Sequence, residues 1–332
     1  LSKGIQRVGV VGAGAWGTAL ATVSARAGRD TLLWARESEV VEAINSDHEN
    51  TIFLPGQALD SSIRATSDYA ELGACDALLM VVPAQHLRAA LKDLSPHIKA
   101  GTPAVICSKG IEMTTLELMS DVLAEGMSQA EPAVLSGPSF AADVASGLPT
   151  AVTLACADET LGQALVAALG LPSFRPYYSA DVTGAQIGGA VKNVMAIACG
   201  IVDGCQLGDS ARAALIARGF AEIVRLGTSW GAELETLAGL SGLGDLILTC
   251  TSHQSRNYSL GFALGSGKTM DEALAGKKSV AEGVATAGAV ERVVEARGVE
   301  MPISVAVAKI VSGRIDVATA IEELLARPFT AE

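Results

Sequence analysis

A single cation, Lys192, interrupts an otherwise apolar segment of helical texture from Thr183 to Val202, with Gly184, Gly188 and Gly189 on one side and Asn193 directly after it. A lysine between apolar turns is either an edge residue whose stem runs along apolar surface to water, or a charge kept for function. The apolarity of the surrounding faces favours function. Lysine works as a base near neutral pH only where burial or neighbouring cations destabilise its ammonium. Downstream, Asp245 opens an apolar helix after the glycine-rich run Gly239 to Gly244, where it caps that helix or orients another polar group. Ser255-Arg256-Asn257 then offers a hydroxyl, a guanidinium capable of bidentate contact and an amide in succession, the donor set a phosphate monoester wants. The same three residues also read as a helix cap on a surface loop.

At the other end of the chain, Arg7 to Val11 is an apolar strand running into Gly12-Ala13-Gly14-Ala15-Trp16-Gly17. In a Gly-x-Gly-x-x-Gly turn Gly12 permits the tight strand-to-helix corner, Gly14 lets backbone approach a pyrophosphate, and Gly17 lets the helix pack closely on the sheet. A second strand, Thr31 to Trp34, follows at the spacing a βαβ unit of roughly 30 residues requires. Its end carries Ala35-Arg36-Glu37 rather than the acid usual for NAD, so NADP(H) is favoured, with Arg36 on the 2′-phosphate and NAD(H) possible; the alternative is a solvated arginine beside a glutamate. Lys109, at the carboxyl end of a strand over 104–108, faces the ligand crevice of such a sheet, and Ser136 to Ala141 is a turn presenting backbone N–H groups and a hydroxyl. His86 reads as a helix-start residue rather than a catalyst.

The elements that must position these residues are those of an α/β fold: a Rossmann-type, doubly wound, mainly parallel sheet over 1–180, followed by an all-helical domain over 181–332 that carries substrate and catalytic groups. Strands are expected at 64–66, 76–83, 133–135, 150–156 and 174–178, and a helix over 114–126. Aromatic residues make up 4% of the 332, so the core is built of Ala, Val, Leu and Ile, which suits parallel strands and close-packed helices. A net charge of −12 with no basic cluster excludes nucleic acid and anionic membrane as expected partners. Six cysteines without Cys-x-x-Cys spacing read as reduced core residues of a cytoplasmic protein, and no metal site is expected. The first strand begins too early to leave room for a signal peptide, and no uninterrupted apolar run reaches bilayer length. The positive mean hydropathy also suits an apolar subunit interface.

Taken together, Gly12 to Ala19, Lys109 to Glu112, Ser136 to Ala141, Lys192 to Val194, Gly242 to Asp245, Ser255 to Asn257 and Val280 to Gly283 make the chain closely similar, over essentially its whole length, to bacterial-type NAD(P)-dependent glycerol-3-phosphate dehydrogenases. The resemblance implies reversible hydride transfer between a nicotinamide and C2 of sn-glycerol 3-phosphate, giving dihydroxyacetone phosphate, in the supply of glycerophospholipid synthesis. It further implies that Lys192 is the proton acceptor and that Lys109, Gly137, Ser139, Asp245, Ser255, Arg256 and Asn257 bind substrate alongside it. Ala15, Trp16, Arg36, Lys109, Ala141, Arg256, Val280 and Glu282 would touch cofactor, and the enzyme would be a homodimer. Ala15 stands where serine is common in the family, and Arg36 occupies a variable position. Two rivals follow from the residues alone: a β-hydroxyacid-type dehydrogenase, which needs a carboxylate site in place of a phosphate site, and a non-catalytic NADP(H)-binding sensor, which binds without turnover.

Overall fold

The computed structural model describes residues 4–275 and 281–328. Eight strands, β1 (Arg7–Val11), β2 (Asp30–Trp34), β3 (Arg64–Thr66), β4 (Ala77–Met80), β5 (Pro103–Ile106), β6 (Glu131–Ser136), β7 (Thr150–Ala155) and β8 (Phe174–Ser179), form one sheet in the order β3-β2-β1-β4-β5-β6-β7-β8. All neighbours are parallel except β6 and β7, which run antiparallel. The strand order reverses at β1, the point at which open α/β sheets bind ligands beyond the carboxyl ends of their strands.

Helices α1 (Ala15–Arg26), α2 (Ser38–Asp47), α3 (Leu87–Leu94), α4 (Met119–Gly126), α5 (Ala141–Ala145) and α6 (Glu159–Leu169) cover both faces. Successive strand residues point to opposite sides, and two separate cores follow from that alternation. Val8, Val10, Leu33, Leu79 and Val105 pack with Leu20 and Val23 of α1 and Leu165 of α6. Leu32, Leu78, Met80 and Ile106 pack instead with Leu87 and Leu91 of α3 and Val122 of α4. Strands buried on both faces need the near-continuous runs of Val, Leu and Ala seen here.

The remaining helices are α7 (Val182–Gly204), α8 (Asp209–Ser229), α9 (Leu234–Ala238), α10 (Asp245–Cys250), α11 (Arg256–Gly265), α12 (Met270–Leu274), α13 (Glu282–Arg297), α14 (Pro302–Val311) and α15 (Val317–Leu325). By packing, the chain divides into a unit of residues 1–109 and 118–186 and a second of 110–117 and 187–332, so the division falls within α7. α7 and α11 cross at backbone contact. A Cβ at Gly200 would stand 2.1 Å from the Tyr258 carbonyl oxygen, and one at Gly261 would stand 2.0 Å from that of Ile197.

One expectation needs correction. No helix spans 114–118, because Leu116 takes a left-handed φ of 66° and the segment closes on itself through Leu116 N–H to Glu112 O (2.9 Å) and Glu112 N–H to Glu117 O (3.0 Å). The helix begins only at Met119. α7 is long and apolar enough, by length and composition, to cross a membrane although Lys192 interrupts it, and its most apolar stretch is wholly buried.

Candidate active site

In the first unit the glycine turn fits a dinucleotide. Gly12 adopts φ +115°, a conformation side chains resist, and a Cβ on Gly17 would lie 1.7 Å from the Gly12 carbonyl oxygen. A Cβ on Gly14 would meet nothing within 4 Å, so open space lies over the turn where a phosphate must approach. Gly14 is the N-cap of α1 and brings no side chain to occupy the helix's first N–H groups, which form the positive end of the helix dipole. Ala15 and Trp16 form the first turn of α1, half-buried, and Trp16 packs on the core beneath. Arg36 sits one residue beyond Ala35 at the end of β2, its side chain 80% exposed and paired with Glu37 at 2.8 Å. Beside it Trp34 and Tyr69 stack with ring centroids 4.3 Å apart, and burial raises the Tyr69 hydroxyl to about 12.

Three further residues singled out in sequence meet at the carboxyl ends of β5 and β6. Lys109 Nζ donates to the Gly137 carbonyl oxygen (3.2 Å), to which the Ser139 hydroxyl also donates (3.1 Å). Ala141 starts α5 directly after this turn.

In the second unit, Lys192 and Asp245 are brought together from positions 53 residues apart. Lys192 Nζ donates to Asp245 Oδ1 at 2.5 Å and to Thr249 Oγ1 at 2.8 Å, and the Asp245 and Lys192 side chains are 1% and 9% exposed. Helix geometry sets this pair. Gly188, one turn before Lys192, packs so closely on the π-helical turn Leu240–Gly244 that a Cβ would stand 2.6 Å from the Ser241 carbonyl oxygen. Lys192 is thereby aimed at the residue that follows that turn. Asp245 is not the helix cap that sequence alone allows: Gly244 holds the N-cap position, and the carboxylate is spent on Lys192. The surroundings are dry enough that burial and a hydrogen bond with Cys199 push the Cys250 thiol well above its usual range. Thr249 was not singled out in sequence; its place four residues after Asp245, on the same helix face, is the signal that finds it.

Ser255, by contrast, is the cap of α11, its hydroxyl accepting from Tyr258 N–H at 3.2 Å. Arg256 next to it is exposed. Asn257 is buried, and its Oδ1 accepts from Gly283 N–H (3.0 Å), while a Cβ on Gly283 would stand 2.7 Å from the Asn193 carbonyl oxygen. Three separate sequence blocks thus converge around Asn257. Glu282, the first residue of α13, is half-buried beside them, and Val280 lies outside the described residues.

A doubly wound sheet with a dinucleotide turn, joined in one chain to a helical unit that buries a lysine-carboxylate pair, defines the class of nicotinamide-dependent dehydrogenases. The chain belongs to the NAD-dependent glycerol-3-phosphate dehydrogenase family: the family's N-terminal model matches residues 7–162 and its C-terminal model residues 181–322. It is 61% identical to a glycerol-3-phosphate dehydrogenase (NAD(P)+) of Parvibaculum lavamentivorans, over 98% of each chain, and 59% identical to one of Caulobacter vibrioides, over 98% of this chain and 99% of that one. Its structure is similar to the crystal structure of glycerol-3-phosphate dehydrogenase from Coxiella burnetii, with a TM-score of 0.93, 39% identity and coverage of 97% and 99%.

Proposed function

We propose that the protein interconverts sn-glycerol 3-phosphate and dihydroxyacetone phosphate with a nicotinamide dinucleotide, NADP(H) in preference to NAD(H). The observation that carries this reading is the buried Lys192, held by Asp245 and Thr249. When bound, the dinucleotide supplies the two-electron carrier, and the chain's own work is to hold it, hold the substrate and move one proton. Gly12, Gly14 and Gly17 hold the pyrophosphate at the α1 N-terminus, with Ala15 and Trp16 beside it and Arg36 exchanging Glu37 for the 2′-phosphate. Lys109, Gly137, Ser139 and Ala141 line the carboxyl ends of β5 and β6 as ligand contacts.

In oxidation the Lys192 amine takes the C2 hydroxyl proton; in reduction the ammonium gives it back to the C2 oxygen. Asp245 and Thr249 fix where Nζ stands. Arg256 and Asn257 bind the phosphate, with Ser255 holding them at the start of α11 and Gly283 N–H fixing which way the Asn257 amide donors face. Binding energy at the phosphate then positions C2 for reaction. On the same reading Glu282 and Val280 flank the cofactor, residues 1–180 serve the dinucleotide and 181–332 the substrate, and the enzyme is a cytoplasmic homodimer supplying glycerophospholipid synthesis.

The test is loss of NADPH absorbance on mixing enzyme with dihydroxyacetone phosphate, set against 3-oxo acids as substrates. Turnover with the phosphate ester alone supports the reading. Turnover with the acids instead would assign the chain to the β-hydroxyacid type, and tight NADPH binding without turnover would make it a sensor. In the same assay Arg36→Ala should weaken NADPH about tenfold more than NADH, because the guanidinium has a phosphate to grip only in NADPH.

A further inference from the structure

We infer that Asn50 is a positioning residue for the dinucleotide-binding turn. The inference rests on that turn being the pyrophosphate site, and it concerns a residue outside the Gly-x-Gly-x-x-Gly motif altogether. Residues 48–59 form a compact loop, pinched by a bridge between Glu49 and Ala58 and by Leu59 N–H to His48 O (2.8 Å), with Leu54 and Leu59 sunk into the core under α1. From this loop the Asn50 side chain, 1% exposed, reaches into the turn. Its Nδ2 donates to the Ala13 carbonyl oxygen at 2.8 Å and to Thr18 Oγ1 at 2.8 Å, and its Oδ1 accepts from Phe53 N–H at 3.1 Å. Both donors and the acceptor are used, so the amide has one orientation.

Ala13 lies between the first two glycines of the motif. In a planar trans peptide the carbonyl of Ala13 and the N–H of Gly14 point in opposite directions. Holding the Ala13 oxygen on Asn50 therefore turns the Gly14 N–H away from Asn50, and a Cβ on Gly14 would meet nothing within 4 Å. With glycine on its C-terminal side this peptide meets little steric resistance to rotation, and Asn50, with the Thr18 hydroxyl 3.4 Å from the same oxygen, holds it in place.

Asn50→Asp keeps the shape and sets an acceptor against the Ala13 oxygen. With NADPH and NADH as titrants, followed by their fluorescence, the variant should bind both about tenfold more weakly and by the same factor, since the pyrophosphate is common to them. At saturating cofactor, kcat and the KM for dihydroxyacetone phosphate should stay within about twofold of wild type. Thr18→Val, which removes the Asn50–Thr18 bond and the weaker Thr18 hydroxyl bond to the Ala13 oxygen but leaves Asn50 on that oxygen, should shift both cofactors in the same direction by less, and it decides the matter if the aspartate variant does not fold. Unchanged cofactor affinity in a folded variant overturns the inference, as does a fall in kcat and melting temperature with affinity intact, the mark of a purely structural asparagine. Failure of the wild-type protein to bind either dinucleotide would instead overturn the proposed function.

Discussion

Lys192 donates to a carboxylate and a hydroxyl where all three side chains are buried, so on the proposed mechanism its removal deletes the proton carrier without touching the glycine turn. Lys192→Ala should lower kcat by well over tenfold, a barrier increase above about 1.4 kcal/mol, while leaving NADPH affinity near wild type. On the proposed mechanism oxidation starts from the amine and reduction from the ammonium, so the wild-type rate of glycerol 3-phosphate oxidation should rise with pH while the reverse rate falls. Parallel profiles in the two directions would remove Lys192 from the proton step. Arg256 is a different kind of residue, exposed at the first position of α11 and next to the capping Ser255. A charge-assisted bond of about 1.5–3 kcal/mol predicts that Arg256→Ala lowers kcat/KM for dihydroxyacetone phosphate at least tenfold. Phosphate-free dihydroxyacetone would lack that proposed contact and should be turned over as poorly by the variant as by wild type. An equal defect for both substrates would move the phosphate site toward Lys109.

At the scale of elements, the pair depends on how closely α7 packs on the turn before α10. Gly188→Ala would place a Cβ 2.6 Å from the Ser241 carbonyl and 2.7 Å from the Gly242 Cα, both backbone atoms with little room to yield. The variant should lose about 1–3 kcal/mol of stability and, because Asp245 follows that turn, a larger share of kcat than of cofactor affinity. Denaturant melts and steady-state kinetics on one preparation check both, and a loss of stability with kcat intact would uncouple the packing from the site. The same glycine shows what the sequence discloses and what it does not. Small residues on one side of a Lys-bearing apolar helix are legible in sequence, but their packing partner is not, since Ser241 lies 53 residues away in chain. The misplaced start of the helix at 119 has a similar cause. Residues 114–118 have helical composition, yet Glu112 accepts the Thr115 hydroxyl at 2.6 Å and Arg292, 179 residues along, donates to the Met113 carbonyl at 2.5 Å. A side-chain hydrogen bond that competes with the backbone, and a partner so distant, leave no local periodicity to detect.

For the whole molecule, the doubly wound sheet was legible because both-face burial writes itself as runs such as Ala77 to Met80, and because the glycines of the dinucleotide turn are fixed by sterics rather than by distant contacts. Asn50 and Glu222 were not legible, since each is one polar residue whose partners lie far off in sequence. Glu222, on α8 and 1% exposed, accepts from Ile303 N–H (2.7 Å), Ser304 N–H (3.0 Å) and the Ser304 hydroxyl (2.8 Å), filling the orphan donors at the start of α14. Burial raises its carboxyl above the ordinary value of 4.5 despite these bonds. The sign of the pH dependence follows. A group whose folded value is raised lends stability that is complete below its unfolded value and is lost as pH rises through the folded one. Glu222→Gln cannot titrate and offers one acceptor oxygen where two are used, so it should be less stable than wild type by roughly 1–3 kcal/mol for a donor left unpaired. Measured by urea unfolding from about pH 4.5 upward, the gap between wild type and variant should narrow as pH rises and then level off. A gap that widens would mean that the hydrogen bonds from α14 outweigh the desolvation of the carboxylate, and that Glu222 is held as an anion by the helix it caps.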